Sequence, residues 1–145
     1  MTGHVRPSAG SYPIVLRGSV GAIRMEPSVH AEYLQAIAGN DEISMKRERH
    51  LRRYFQEFCD QKLPRLSNEK FKKEGNFSGG RPNIEVAIWT FKSWQLRLYG
   101  STITVANERC FVGVEIDLLK KQNKANRQKL ESAALKIAAL QEYQN

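Results

Sequence analysis

Apolar residues recur at helical spacing in two stretches of the first half of the chain. They switch to strand spacing after residue 84 and return to helical spacing near the end. Val29, Tyr33 and Ile37 share one face of a short helix that begins at Pro27-Ser28, with Gly39-Asn40 as its stop. Ser44 is placed to cap a second, longer helix that runs to about Leu63 and ends at Pro64. Leu51, Phe55, Phe58 and Cys59 form its apolar stripe, while Lys46, Arg47, Arg49, Arg52 and Arg53 crowd the remaining surface. Residues 66–80 read as a polar, lysine-rich loop with a short helical turn around 68–73, broken by Gly79-Gly80 and Pro82. β-Branched and aromatic residues then dominate 84–92 and 94–105. Asn107-Glu108-Arg109 reads as a turn and 110–116 as a returning strand. Leu130, Ala133, Ala134, Ile137 and Ala138 line one face of a last helix over about 125–143.

Short connections between the strands imply an antiparallel meander, not a βαβ unit. The expected fold class is therefore α+β. A single antiparallel sheet of three to four strands is packed on one face by the N-terminal helices and a C-terminal helix, and its other face is partly open. Residues 1–27, rich in Gly, Pro and Ser, are expected as an N-terminal arm. Part of Tyr12-Pro13-Ile14-Val15-Leu16 can form an edge strand, since Pro13 fits at a strand start. Residues 28–145 make up the domain itself, and 145 residues suit one hydrophobic core.

Composition sharpens the functional side of the picture. Lys and Arg total 23 against 15 Asp and Glu, a net charge of +8, with a pI near 9.7. Such an excess attracts polyanions, RNA and DNA among them, and steers their encounter. Cys59 and Cys110 form no C-x-x-C pair and read as buried, reduced thiols. The N-terminus lacks the apolar core of an export signal, and no apolar run approaches the roughly 18 residues that span a bilayer. The expected location is the cytoplasm, with no membrane partner.

Candidate chemistry concentrates in Trp94-Gln95-Leu96-Arg97-Leu98-Tyr99. Strand alternation sets Trp94, Leu96 and Leu98 toward the helices, and Gln95, Arg97 and Tyr99 toward the open face. There Arg97 could clamp a phosphate, and Tyr99 could stack on a base or exchange a proton. The alternative is a solvated sheet face with a Tyr–Arg contact. Lys120-Lys121-Gln122-Asn123-Lys124, before the last helix, forms either a phosphate-binding turn or a solvated one. Lys70, Lys72 and Lys73 carry the same two readings. Metal-ligand spacing, a P-loop and a G-x-S-x-G elbow are all missing, so neither a metal nor a cofactor is expected. His4, His30 and His50 are expected at the surface.

Taken together, the pattern resembles the RelE/ParE toxin superfamily, in particular its phage Gp49-like branch. The residues that carry the resemblance run from Ile84 to about Ala139. They are Ile88-Trp89-Thr90-Phe91-Lys92, Gln95-Leu96-Arg97-Leu98-Tyr99-Gly100, Phe111, Lys120-Lys121, and Lys124-Ala125 opening a helix with Ala133-Ala134. The resemblance implies a toxin neutralised by a small cognate antitoxin, acting on messenger RNA at the ribosome or, in ParE-like members, on DNA gyrase. Carried onto this chain it implies that Arg97 stabilises the transition state of RNA cleavage and that Lys92 and Lys121 add positive charge. Tyr99 would orient the nucleotide, while Gln95, Lys70, Lys72, Lys73, Lys120 and Lys124 would contact RNA. Any general base would be a lysine or tyrosine of shifted pKa, because no histidine matches. A gyrase inhibitor and a non-catalytic phage or mobile-element regulator that binds nucleic acid or protein are the other two readings.

Overall fold

The computed structural model describes residues 5–118 and 124–143. Its elements, in chain order, are β1 (Ile14–Arg17), β2 (Gly21–Met25), α1 (Pro27–Ile37), α2 (Glu42–Asp60), β3 (Phe71–Ser78), β4 (Glu85–Ser93), β5 (Leu96–Val105), β6 (Glu108–Asp117) and α3 (Arg127–Ala138). The strands join in one open sheet ordered β1-β2-β6-β5-β4-β3. The class is α+β, as the periodicity predicts. The sheet differs from expectation in three ways: it has six strands, it is mixed, and helices cover both of its faces.

The mixed character comes from β2, which lies parallel to β6 with Gly21 opposite Arg109 and Met25 opposite Gly113. All five residues of β2 are buried, so it shows none of the in–out alternation that marks a half-exposed strand. With β1 it forms a hairpin, so the expected edge strand is present within a segment that folds into the sheet. The residues before it are also tied down. Arg6 Nη2 donates to the Leu140 carbonyl at 2.6 Å, and the Ala9 N–H donates to Glu142 at 2.8 Å.

β3 replaces most of the expected lysine-rich loop. Phe71 opposes Phe91 and Phe77 opposes Val86, with a bulge at Glu74 that Gly75 accommodates at φ 142°. Lys72 and Lys73 are tolerated because β3 is an edge strand, where lysines face water and discourage pairing with another chain.

α1 starts with Pro at its first turn and buries Val29, Tyr33 and Ala36. The cap of α2 is Asp41, not Ser44: its carboxylate accepts from the Ser44 N–H at 3.1 Å and from the Ser44 hydroxyl at 2.7 Å. Two cores result. On the α1–α2 side, Phe91 packs edge-on to Phe55 and Phe111 with centroids 4.9 Å and 4.8 Å away, alongside Leu51, Phe58, Leu96 and Leu98. On the other side α3 lays Ala133, Ala134 and Ile137 against Val86, Ile88, Tyr99 and Val112. Each large apolar side chain buried in this way contributes roughly 1.5–3 kcal/mol. No helix among the described residues is long and apolar enough to cross a membrane.

Candidate functional site

β4 and β5 are joined by a two-residue turn, Trp94-Gln95, with both residues left-handed at φ 21° and 57°. So tight a turn sets the register: Ser93 pairs with Leu96, and Lys92 with Arg97. One strand further on, Arg97 pairs with Asp117, the last residue of β6. By alternation Lys92 and Arg97 lie on the same side of the sheet as Val86, Ile88 and Tyr99. With Asp117, Glu69, Ser93, Trp94, Gln95 and Leu96 they line a cleft of about 150 Å³ at this end of the sheet.

The cleft is an ordered arrangement of charge. Arg97 has a side chain only 15% exposed, and its Nη1 lies 4.0 Å from Glu74 Oε2 on a carboxylate 8% exposed. The bulge in β3 turns Glu74 toward this neighbour. Lys92 is half-buried. Burial, and next the positive charge of Arg97, lower its pKa, which Glu74 and Glu69 partly offset. The backbone N–H of Lys92 donates to the Lys70 carbonyl at 2.9 Å, which fixes the strand beneath it.

Tyr99 lies elsewhere than expected. It is fully buried under α3, and its hydroxyl accepts from the Asn126 N–H at 3.1 Å. Burial raises its pKa. The face that alternation assigns to Tyr99 is the face that α3 covers, so no surface of the ring is open for a base to stack on. Arg97 shares that face but lines the cleft. Leu96 and Leu98 are buried against the α1–α2 side, as alternation predicts.

Trp94, expected beside them in the core, is instead 48% exposed because it belongs to the turn and not to the strand. Lys46 sits with its amine 5.0 Å from the indole centroid, and Arg47 Nε donates to the Trp94 carbonyl at 2.9 Å. His50, expected on the solvated surface of α2, is half-buried. Its Nδ1 lies 3.4 Å from the Ser93 hydroxyl. Burial lowers its pKa, and Arg53, Arg49, Lys46 and Lys70 lower it further. A weakly basic imidazole therefore stands behind the hairpin.

The remaining candidates divide. Gln95 is exposed on the turn and lines the cleft. Lys70 is exposed with its amine 5.5 Å from the Tyr54 centroid. Lys72 and Lys73 are exposed on β3 and alternate to opposite faces; Lys72 contributes to the lowered pKa of Lys92. Lys124 is exposed ahead of α3 and does not line the cleft. Lys120 and Lys121 lie outside the described residues. Glu69, Glu74, Ser93 and Asp117 were not among the sequence candidates. A symmetric hairpin centred on Trp94-Gln95 would have paired Lys92 with Arg97, but neither turn residue is the Gly or Asn that marks such a turn.

Chemically, the cleft offers a guanidinium held by a carboxylate, an amine that yields its proton more readily than an ordinary lysine, and a primary amide. The carboxylates of Glu69 and Asp117 line it as well, so two cations face two anions: Lys92 and Arg97 can hold the anionic part of a polar ligand, a phosphate for example, and the carboxylates can accept from its donors. Compared with models of known protein families, with curated proteins and with solved structures, the chain matches none.

Proposed function

We propose that this chain is a RelE/ParE-like toxin that cuts messenger RNA, with the Lys92–Arg97 cleft as its site. The observation that carries the reading is the pairing of a lysine of lowered pKa with a guanidinium on the adjacent strand, both lining one cleft. The element order supports it: a helical pair, a meander whose middle strand carries Arg97, a lysine-bearing connection and an alanine-containing helix.

In this reading the neutral amine of Lys92 takes the proton of an RNA 2′-hydroxyl. The 2′-oxygen then bonds to phosphorus as the bond from phosphorus to the 5′-oxygen breaks, and the leaving oxygen takes a proton from water. The products are a 2′,3′-cyclic phosphate and a 5′-hydroxyl. Arg97, anchored by Glu74, stabilises the charge that builds on the phosphoryl oxygens. Gln95 and Lys70 contact the RNA, and Lys72 adds to the positive field. A small cognate antitoxin neutralises the protein, which acts in the cytoplasm.

The test is induced expression in bacteria of wild type and of Lys92→Met, with growth followed and messenger RNA ends mapped by primer extension. Growth arrest with new cuts, both lost in the folded variant, is the expected result. Arrest without cuts would transfer the reading to gyrase. Absence of arrest would leave a binding protein without catalysis.

A further inference from the structure

We infer that Trp94 is a stacking platform for a nucleobase of single-stranded RNA, and that Arg49 and Arg53 of α2 carry the phosphates that flank it. This rests on the reading of the cleft as an RNA site.

The backbone supplies the first observation. A two-residue turn with both residues at positive φ is the preserve of Asn and Gly, because a Cβ is strained there. The hairpin between β5 and β6 meets this demand partly with Asn107, whereas the one between β4 and β5 uses Trp94 and Gln95. Strain of this kind persists where the surroundings hold it and a purpose repays it. The surroundings are visible: Arg47 from α2 donates to the Trp94 carbonyl at 2.9 Å.

The second observation is the exposure of the ring. Trp89 stacks on Phe71 with centroids 4.9 Å apart, but Trp94 is 48% exposed and lines the cleft that holds Lys92 and Arg97. A base on the indole therefore sits next to a phosphate in the cleft. The Lys46 amine, 3.1 Å from Glu42, lies over one face of the ring at 5.0 Å, so a base would stack on the opposite face.

The third is the track. Lys46, Arg49 and Arg53 fall at positions i, i+3 and i+7 of α2, on one stripe that leads away from Trp94. Arg49 and Arg53 are exposed and form no ion pair among the described residues, whereas Lys46 is paired with Glu42 and Arg52 with Glu48. An aromatic platform beside a row of cations is how single strands are held, because every base offers a π-face. In a duplex the bases are already stacked on one another, so the platform selects a single strand and discriminates little between bases.

The test uses the whole chain and a short mixed-sequence RNA whose 2′-hydroxyls are methylated, so that binding is read without cleavage. Tryptophan fluorescence should be quenched by this RNA in wild type and in Trp89→Phe, and not in Trp94→Leu. Trp94→Leu should bind about 10-fold more weakly, as expected for the loss of one stacked base. Arg49→Gln and Arg53→Gln should each reduce the slope of log affinity against log salt by about 0.7. The variant Trp94→Asn, which suits the positive φ of the turn, should melt at a higher temperature than wild type yet lose the same affinity as Trp94→Leu, a combination that a structural role for Trp94 does not produce. Unchanged affinity in both Trp94 variants would overturn the platform and leave the cleft to stand on the cleavage assay. If wild type does not bind the RNA at all, the platform and the RNA reading fall together.

Discussion

Lys92 and Arg97 are register partners across β4 and β5, and this like-charge pairing, added to burial, holds the Lys92 amine below the ordinary lysine pKa. The charged form is thus less favoured in the fold than in the unfolded chain. The penalty is complete below the lowered pKa and fades as pH climbs from there toward the unfolded value of about 10.4. Lys92→Met should accordingly resist urea better than wild type at neutral pH, with the advantage shrinking as pH rises through the lowered pKa of Lys92. In cleavage assays the same variant should lose about 10²–10⁴-fold in rate and the rise in rate toward alkaline pH. Full cleavage by Lys92→Met would remove Lys92 from the chemistry.

Arg97 was expected on an open face, from which it could be removed at no cost to folding. Its 15% side-chain exposure and its ion pair with the nearly buried Glu74 argue otherwise. Arg97→Ala strips Glu74 of that cation and should cost about 3 kcal/mol in urea unfolding. Arg97→Lys should recover part of that loss. A variant Arg97→Ala as stable as wild type would mean that the Glu74 contact contributes nothing.

Tyr99→Phe removes one hydrogen-bond acceptor from the Asn126 N–H and leaves the ring in place among the α3 contacts. The expected cost is about 1 kcal/mol, with cleavage retained. The outcome that would return Tyr99 to a chemical role is wild-type stability with cleavage lost.

Gly100 lies at the bulge where β5 crosses β6, and a Cβ there would come 2.0 Å from the Val112 carbonyl oxygen. The obstacle is backbone in the middle of the sheet, which has no room to shift. Gly100→Ala should destabilise by several kcal/mol, enough to leave the protein insoluble or unfolded by circular dichroism at 37 °C. A folded Gly100→Ala variant would mean that β5 and β6 can separate without loss of the core.

How much was legible in advance follows from the range of the interactions involved. α1, α2, β4, β5, β6 and α3 could be read from the chain, because each writes its burial as a local period. Val29 and Tyr33 share a helical face, Leu96 and Leu98 share a strand face, and Leu130, Ala133 and Ile137 share another helical face. The basic character of α2, and the residues Lys92 and Arg97 themselves, were equally plain. β2 was not, because a strand buried on both faces has no alternation to display. β3 was hidden by the lysines that suit it to an edge.

The sequence by itself therefore determined the α+β class, the amphipathic elements and the cationic candidates, since these depend on neighbours a few residues apart. Only the tertiary structure decided which face α3 would cover, and with it that Tyr99 is core while Arg97 lines a cleft. It also decided that Trp94 stands out in a turn and that His50 meets Ser93, 43 residues away. Such outcomes depend on how whole elements dock, and docking is settled by the summed burial of two sheet faces, which no local period records.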